Sequence, residues 1–202
     1  MTHELAILQA ARLKGRLGAE LAAQSVGVDV ETAATELTAL RDAGYFKGDP
    51  QVRLTPEGRT RLSELAASER TTIDHEAMMR LYHEFDQHNT ALKEIISDWQ
   101  MKGGAPNDHT DITYDHSVLD RLTALDEGFQ PLVQRMAAIA GRLSNYRRRF
   151  RNAIEQIQAG DTGFVARPIA DSYHTVWFEF HEELIGLLGL SREEEAAAGR
   201  AV

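Results

Sequence analysis

Apolar residues recur at helical spacing along most of this chain, and short clusters of Gly, Pro, Asp and Asn interrupt them. Leu5, Leu8, Ala11 and the Leu13–Leu17 pair predict a first helix over 4–17. A short second helix over 19–24 ends at Gly27. Asp29 is placed to cap a third, because its carboxylate can accept the free amides of a first turn. Val30, Ala33, Ala34, Leu37 and Leu40 mark that helix's apolar stripe, and Gly44 closes it. Tyr45 and Phe46 then open a strand, Gly48-Asp49-Pro50 forms a turn, and Val52 and Leu54 form the return strand. Thr55 caps a further helix with Pro56 at its first position, finished by Ser68.

Helix, turn, helix, hairpin, helix is the order of a winged helix. The run Val52-Arg53-Leu54-Thr55-Pro56-Glu57-Gly58-Arg59-Thr60-Arg61-Leu62 resembles the second wing strand and following helix of the MarR and PadR groups of transcriptional regulators. Leu40-Arg41-Asp42-Ala43-Gly44-Tyr45-Phe46 is similar to the end of their recognition helix and the first wing strand. The resemblance covers roughly the first third and implies double-stranded DNA as a partner. In that arrangement the third helix enters the major groove. Thr32, Thr35 and Thr38 are then the candidates for base-edge or backbone contacts, beside Glu31 and Glu36. Lys47, Arg53, Arg59 and Arg61 are the candidates for phosphate contacts.

Beyond a short polar joint at 69–72 the pattern is helical throughout. Asp74 caps a long helix to about Met101, with Met78, Leu81, Tyr82, Phe85, Leu92, Ile95, Ile96 and Trp99 on one face. His88 and Asn89 fall on or beside that face and read as hydrogen-bonded core groups. Gly103-Gly104-Ala105-Pro106 breaks the helix. The next predicted helices run from Asp115 or Ser117 to about Gly128, from Pro131 to Leu143, and from Ser144 to Ala159. A last long helix starts near Asp171 or Ser172, its stripe formed by Tyr173, Trp177, Phe180, Leu184, Leu187 and Leu188. Ser191 is expected to cap a short acidic tail over 192–202. The expected fold is mostly α: a winged-helix domain over 1–68 with a small β-hairpin wing, then an all-α bundle over 69–202 for dimerisation or ligand sensing.

Composition narrows the chemistry. No cysteine is present, which excludes disulfides, thiolate metal sites and cysteine nucleophiles and points to the cytoplasm. No apolar run reaches the ~20 residues of a membrane helix, and the start lacks the pattern of a signal peptide. The net charge is −9. Nearly all of it lies beyond Ala67: the first 67 residues hold eight Lys/Arg against nine Asp/Glu, the rest fourteen against twenty-two. A DNA-binding domain usually has a basic surplus, so a winged helix that docks on protein is the alternative.

In the helical part, Asn107-Asp108-His109-Thr110-Asp111-Ile112-Thr113-Tyr114-Asp115-His116 is the densest cluster of carboxylate and imidazole. It reads as turns and a helix cap rather than a metal site, since Asn, Asp and Thr bond nearby backbone. Candidate ligand-binding residues are His109, Asp111, Asp115, His174, Trp177 and His181, the two last histidines lying seven apart on one side of a helix. Arg147, Arg148, Arg149 and Arg151 could meet an anion, but in so acidic a region they are expected to pair with its carboxylates. Trp99-Gln100, the stretch from Ala105 to Asp111 and the stretch from Asp171 to Glu179 resemble a helical region accompanying pyruvate, phosphate dikinase-like proteins of actinobacteria. The phosphohistidine and nucleotide-binding motifs of that chemistry are missing from this sequence, so the resemblance implies a regulatory module. The expectation is therefore a homodimeric regulator with DNA and a small-molecule effector as partners, without membrane, cofactor, metal or catalytic role.

Overall fold

The computed structural model describes residues 3–168, 170–191 and 195. The tail read over 192–202 falls almost wholly outside them. Among the described residues the chain is mostly helical, with eight α-helices and two small two-stranded hairpins. Its contacts separate into two compact units, Met1–Ile73 and Asp74–Val202; the division falls after Ile73, where the sequence placed it after Ser68.

The first unit contains α1 (Glu4–Lys14), α2 (Ala19–Val26), α3 (Val30–Asp42), β1 (Phe46–Lys47), β2 (Arg53–Leu54) and α4 (Pro56–Arg70). Helix α1 is shorter than its apolar pattern, because Gly15 takes a left-handed φ of 73° and ends it. Leu17 instead pairs with Val52, each amide bonding the other's carbonyl at 2.9 Å. The caps form as the sequence requires. Asp29 accepts from the Thr32 amide at 2.7 Å, and Thr55 accepts from the Gly58 amide while donating its hydroxyl to the Gly44 carbonyl at 2.7 Å. One core joins Ile7, Leu8, Ala22, Ala33, Leu37, Leu40, Phe46, Val52, Leu54 and Leu62. Gly58 permits a close approach: a Cβ there would stand 2.1 Å from the Tyr45 carbonyl oxygen. Helix α4 continues to Arg70, so Glu69 and Arg70 are helical rather than part of a joint.

The second unit contains α5 (His75–Gln100), β3 (Met101–Lys102), β4 (Ala105–Pro106), α6 (Ile112–Ile139), α7 (Ser144–Gln158) and α8 (Tyr173–Leu188). The break at Gly103-Gly104 is a tight hairpin, both glycines taking positive φ (59° and 84°) as a two-residue reverse turn demands. The two helices expected around Pro131 are one, α6, with Pro131 inside it. Pro131 is exposed, so the carbonyl that loses its amide partner is on the side where water can reach it. Helix α5 packs on α6 and runs antiparallel to α8: Tyr82 meets His181 and Asn89 meets Trp177. The centre is aromatic. Phe85, Phe129, Phe150, Trp177 and Phe180 are all fully buried, with ring centroids 4.2–6.1 Å apart. Burying each such ring contributes ~1.5–3 kcal/mol, and each well-placed aromatic pair adds about 1 kcal/mol.

Candidate functional site

In the first unit the candidates divide by exposure. Thr35 and Thr38 stand exposed on α3. Thr32 does not point outward with them. Its amide and hydroxyl both bond the Asp29 carboxylate, the hydroxyl at 2.7 Å, and these bonds hold the Asp29 pKa below its ordinary value. The Arg41–Asp49 ion pair, 3.2 Å long, ties the end of α3 to the hairpin turn. Lys47 and Arg53 are exposed and directly opposite each other in the β1–β2 register. Like charges facing each other across a strand pair cost stability. Arg59 is exposed on the first turns of α4. Arg61 is engaged differently: its guanidinium grips the Glu4 carboxylate through two bonds of 2.8 and 3.1 Å, which raise the pKa of Arg61. It clamps α4 to α1.

In the second unit the six ligand candidates lie in three places. His109, Asp111 and Asp115 serve the turn before α6. Asp111 accepts from the Tyr114 amide as N-cap and pairs with Lys102 at 2.8 Å, which lowers its pKa. Asp115 accepts from Asn107 Nδ2 and His109 Nδ1, each at 2.9 Å. His109 has a positive φ of 57°, and its ring lies 4.3 Å from that of Trp99. These polar groups satisfy one another, and among the described residues no three His, Asp or Glu side chains are arranged to hold a metal ion.

Trp177 and His181 are core residues. Trp177 donates from Nε1 to Asn89 Oδ1 at 2.9 Å and is fully buried. Tyr82 donates its hydroxyl to Glu195 Oε2 at 2.5 Å and therefore accepts from His181 Nε2 at 2.9 Å, which fixes the proton of that histidine on Nε2. His88, half-buried 5.4 Å from Phe129, has its pKa lowered by burial.

His174 occupies the third place. It lines a recess of about 260 Å³ with Leu92, Lys93, Ile96, Ser97, Gln100 and Met101. Burial lowers its pKa, so near neutral pH the ring is uncharged and offers one donor and one acceptor nitrogen. His174 and His181 do share the side of α8 that meets α5, His174 at its start and His181 midway, beside Tyr82. The recess combines an apolar wall with convergent polar groups, the makeup of a small-ligand site.

The expectation that the arginines of this stretch pair with carboxylates holds for Arg149, in a buried ionic centre whose acidic partners the sequence did not name. Arg149, only 3% exposed, donates to both oxygens of Asp171 at 2.9 Å and to Glu179 at 2.6 Å. Burial opposes its charge, but Glu179, Tyr146 and Asp171 outweigh burial and hold its pKa above the ordinary arginine value. Arg142 bonds Glu183, which also accepts from the Tyr146 hydroxyl. The signal was available: Glu179 and Glu183 interrupt the apolar stripe of α8, and Arg149 lies on the stripe of Tyr146, Phe150 and Ala153. No helix among the described residues is long and apolar enough to cross a membrane. Compared with family models, with curated proteins and with solved structures, the chain matches none.

Proposed function

We propose that this chain is a DNA-binding transcriptional regulator, with a winged helix in Met1–Ile73 and a dimerising or effector-sensing bundle in Asp74–Val202. The observation that carries the reading is the Lys47–Arg53 pair. Two exposed cations face each other across a two-stranded hairpin, with Arg59 exposed on the helix that follows. A hairpin that repels itself in isolation gains when a phosphate backbone lies along it, since phosphate neutralisation dominates DNA affinity. Helix α3 offers Thr35 and Thr38 for the groove. In a two-fold dimer such helices would meet half-sites about one DNA turn apart. An effector in the His174 recess would regulate binding by preferring one arrangement of the dimer.

Fluorescence anisotropy with random-sequence duplex DNA tests this. A specific reader still binds non-specifically at ~10⁻⁴–10⁻⁶ M with a steep salt slope between about 50 and 200 mM. Arg53→Ala with Arg59→Ala should flatten that slope by about two ions. An unchanged slope removes these residues from the interface. A second reading is a protein-docking module, such as one serving a phosphotransfer enzyme. The near-neutral charge of the first unit and Glu31 and Glu36 on α3 favour it. Absence of any DNA binding at low salt selects it.

A further inference from the structure

Four arginines stand in five positions of α7, and they separate. Arg149 turns inward to Asp171 and Glu179. Arg147, Arg148 and Arg151 turn outward and line one groove of about 470 Å³ between α6 and α7, together with Gln134, Ala137, Ala138 and Ser144. That volume lies within the range of small-molecule sites.

Three features make the groove a cation cradle. None of its seven residues is acidic, in a chain of 31 Asp and Glu against 22 Lys and Arg. Two of the arginines are anchored through Nε to neutral amides: Arg148 to Asn145 Oδ1 at 2.9 Å, Arg147 to Gln130 Oε1 at 3.5 Å. Such bonds orient the guanidinium groups within the groove. Arg147 and Arg151 are also one turn apart on one helix, where like charges repel, and Asp126, the carboxylate that acts on Arg151, stands outside the groove lining.

The other wall suits an anion. Ala137 and Ala138 are small and let a ligand approach, Gln134 supplies an amide, and Ser144 stands at the first turn of α7, the positive end of its dipole. Guanidinium groups a turn apart match two charged groups of one molecule better than a single charge, because each can grip a phosphate or carboxylate through two N–H bonds.

We infer that the α6–α7 groove binds a small, multiply charged anion bearing phosphate or carboxylate groups, held by Arg147, Arg148 and Arg151. This stands independently of how the first unit is read. The test is titration calorimetry of the full chain in chloride buffer, with inorganic tripolyphosphate and citrate as probes. A Kd below about 1 mM for at least one of them is expected. Arg147→Gln with Arg151→Gln should weaken binding at least about tenfold, one ion-assisted contact or more. Arg121→Gln, which removes a cation paired with Asp98 outside the groove, should leave it unchanged. Should the double variant fail to fold, Ala138→Glu places a carboxylate opposite the arginines and should abolish binding. Binding of neither anion overturns the inference, as does equal binding by the groove variants. A single-stranded oligonucleotide that binds far tighter than tripolyphosphate, through the same arginines, also overturns it and makes the groove a nucleic-acid surface.

Discussion

Replacing Arg149 with Met should cost the second unit about 3–5 kcal/mol, the usual penalty for breaking a buried ion pair by removing one partner. Arg149, Asp171 and Glu179 have side chains only 3%, 3% and 5% exposed, so water cannot take over the lost bonds. Three donated bonds disappear at once, two to Asp171 and one to Glu179. Methionine keeps most of the arginine stem's packing, so the loss reports charge rather than a cavity. Both tryptophans, Trp99 and Trp177, lie in this unit, and urea unfolding followed by their fluorescence reads it apart from the first unit. Stranded carboxylates prefer their protonated form, so in the variant the folded state binds more protons than the unfolded one. Stability then rises as pH falls, and the deficit against the parent chain should shrink from neutral pH toward about pH 5. The triple variant with Asp171→Asn and Glu179→Gln added should regain much of the loss. A deficit below about 1 kcal/mol at neutral pH, or one that does not change with pH, refutes the assignment of this triad as a buried ionic centre.

In the first unit, Gly58→Ala should destabilise by about 1–2 kcal/mol despite alanine's better helix propensity, because its Cβ meets the Tyr45 carbonyl; faster amide exchange across β1, β2 and α4 would register it, and unchanged exchange would count against the close approach. Trp177→Phe should cost about 1–3 kcal/mol by removing the buried bond from Nε1 to Asn89 Oδ1 and part of the ring's packing, read by urea unfolding followed by circular dichroism. His88 and His174 both have lowered pKa values. The unfolded chain therefore takes up protons first as pH falls, and their contribution is full above the ordinary histidine pKa and lost as pH drops through and below it. His174→Gln should reduce the stability lost on acidification from neutral pH to about pH 5, and an identical pH profile would show that its ring is solvated.

Features fixed within a few residues could be read in advance. Asp29, Thr55 and Asp74 cap helices because a carboxylate or hydroxyl needs only the next turn's amides, whereas α6 starts at Ile112, capped by Asp111, a turn before the start expected at Asp115 or Ser117. The His109–Asp115 turn behaved as local bonding suggests, and Asn89 is a hydrogen-bonded core group of α5, whereas His88 beside it is only half-buried. Features set by distant partners were not visible. The pattern starts a new helix at Pro131, whereas an exposed position inside the long α6 tolerates its missing donor. Leu17 looked like the continuation of α1 until Val52 offered it a strand partner. Among the site candidates, Arg61 and Thr32 proved to be bonded within the unit, while Lys47, Arg53 and Arg59 remained exposed. The order of residues does not say which of four neighbouring arginines will find two carboxylates, although the stripe around Arg149 held the hint.

The aromatic centre constrains the chain during synthesis. Phe85, Phe129, Phe150 and Phe180 come from four successive helices, and each ring is buried by rings from the others. No two or three of these helices can cover the cluster. A nascent chain that has released α5, α6 and α7 from the ribosome still exposes one wall of it until α8 emerges. Over that interval the bundle exposes apolar surface of the kind that makes folding intermediates prone to aggregate, whereas the residues of Met1–Ile73 have all emerged.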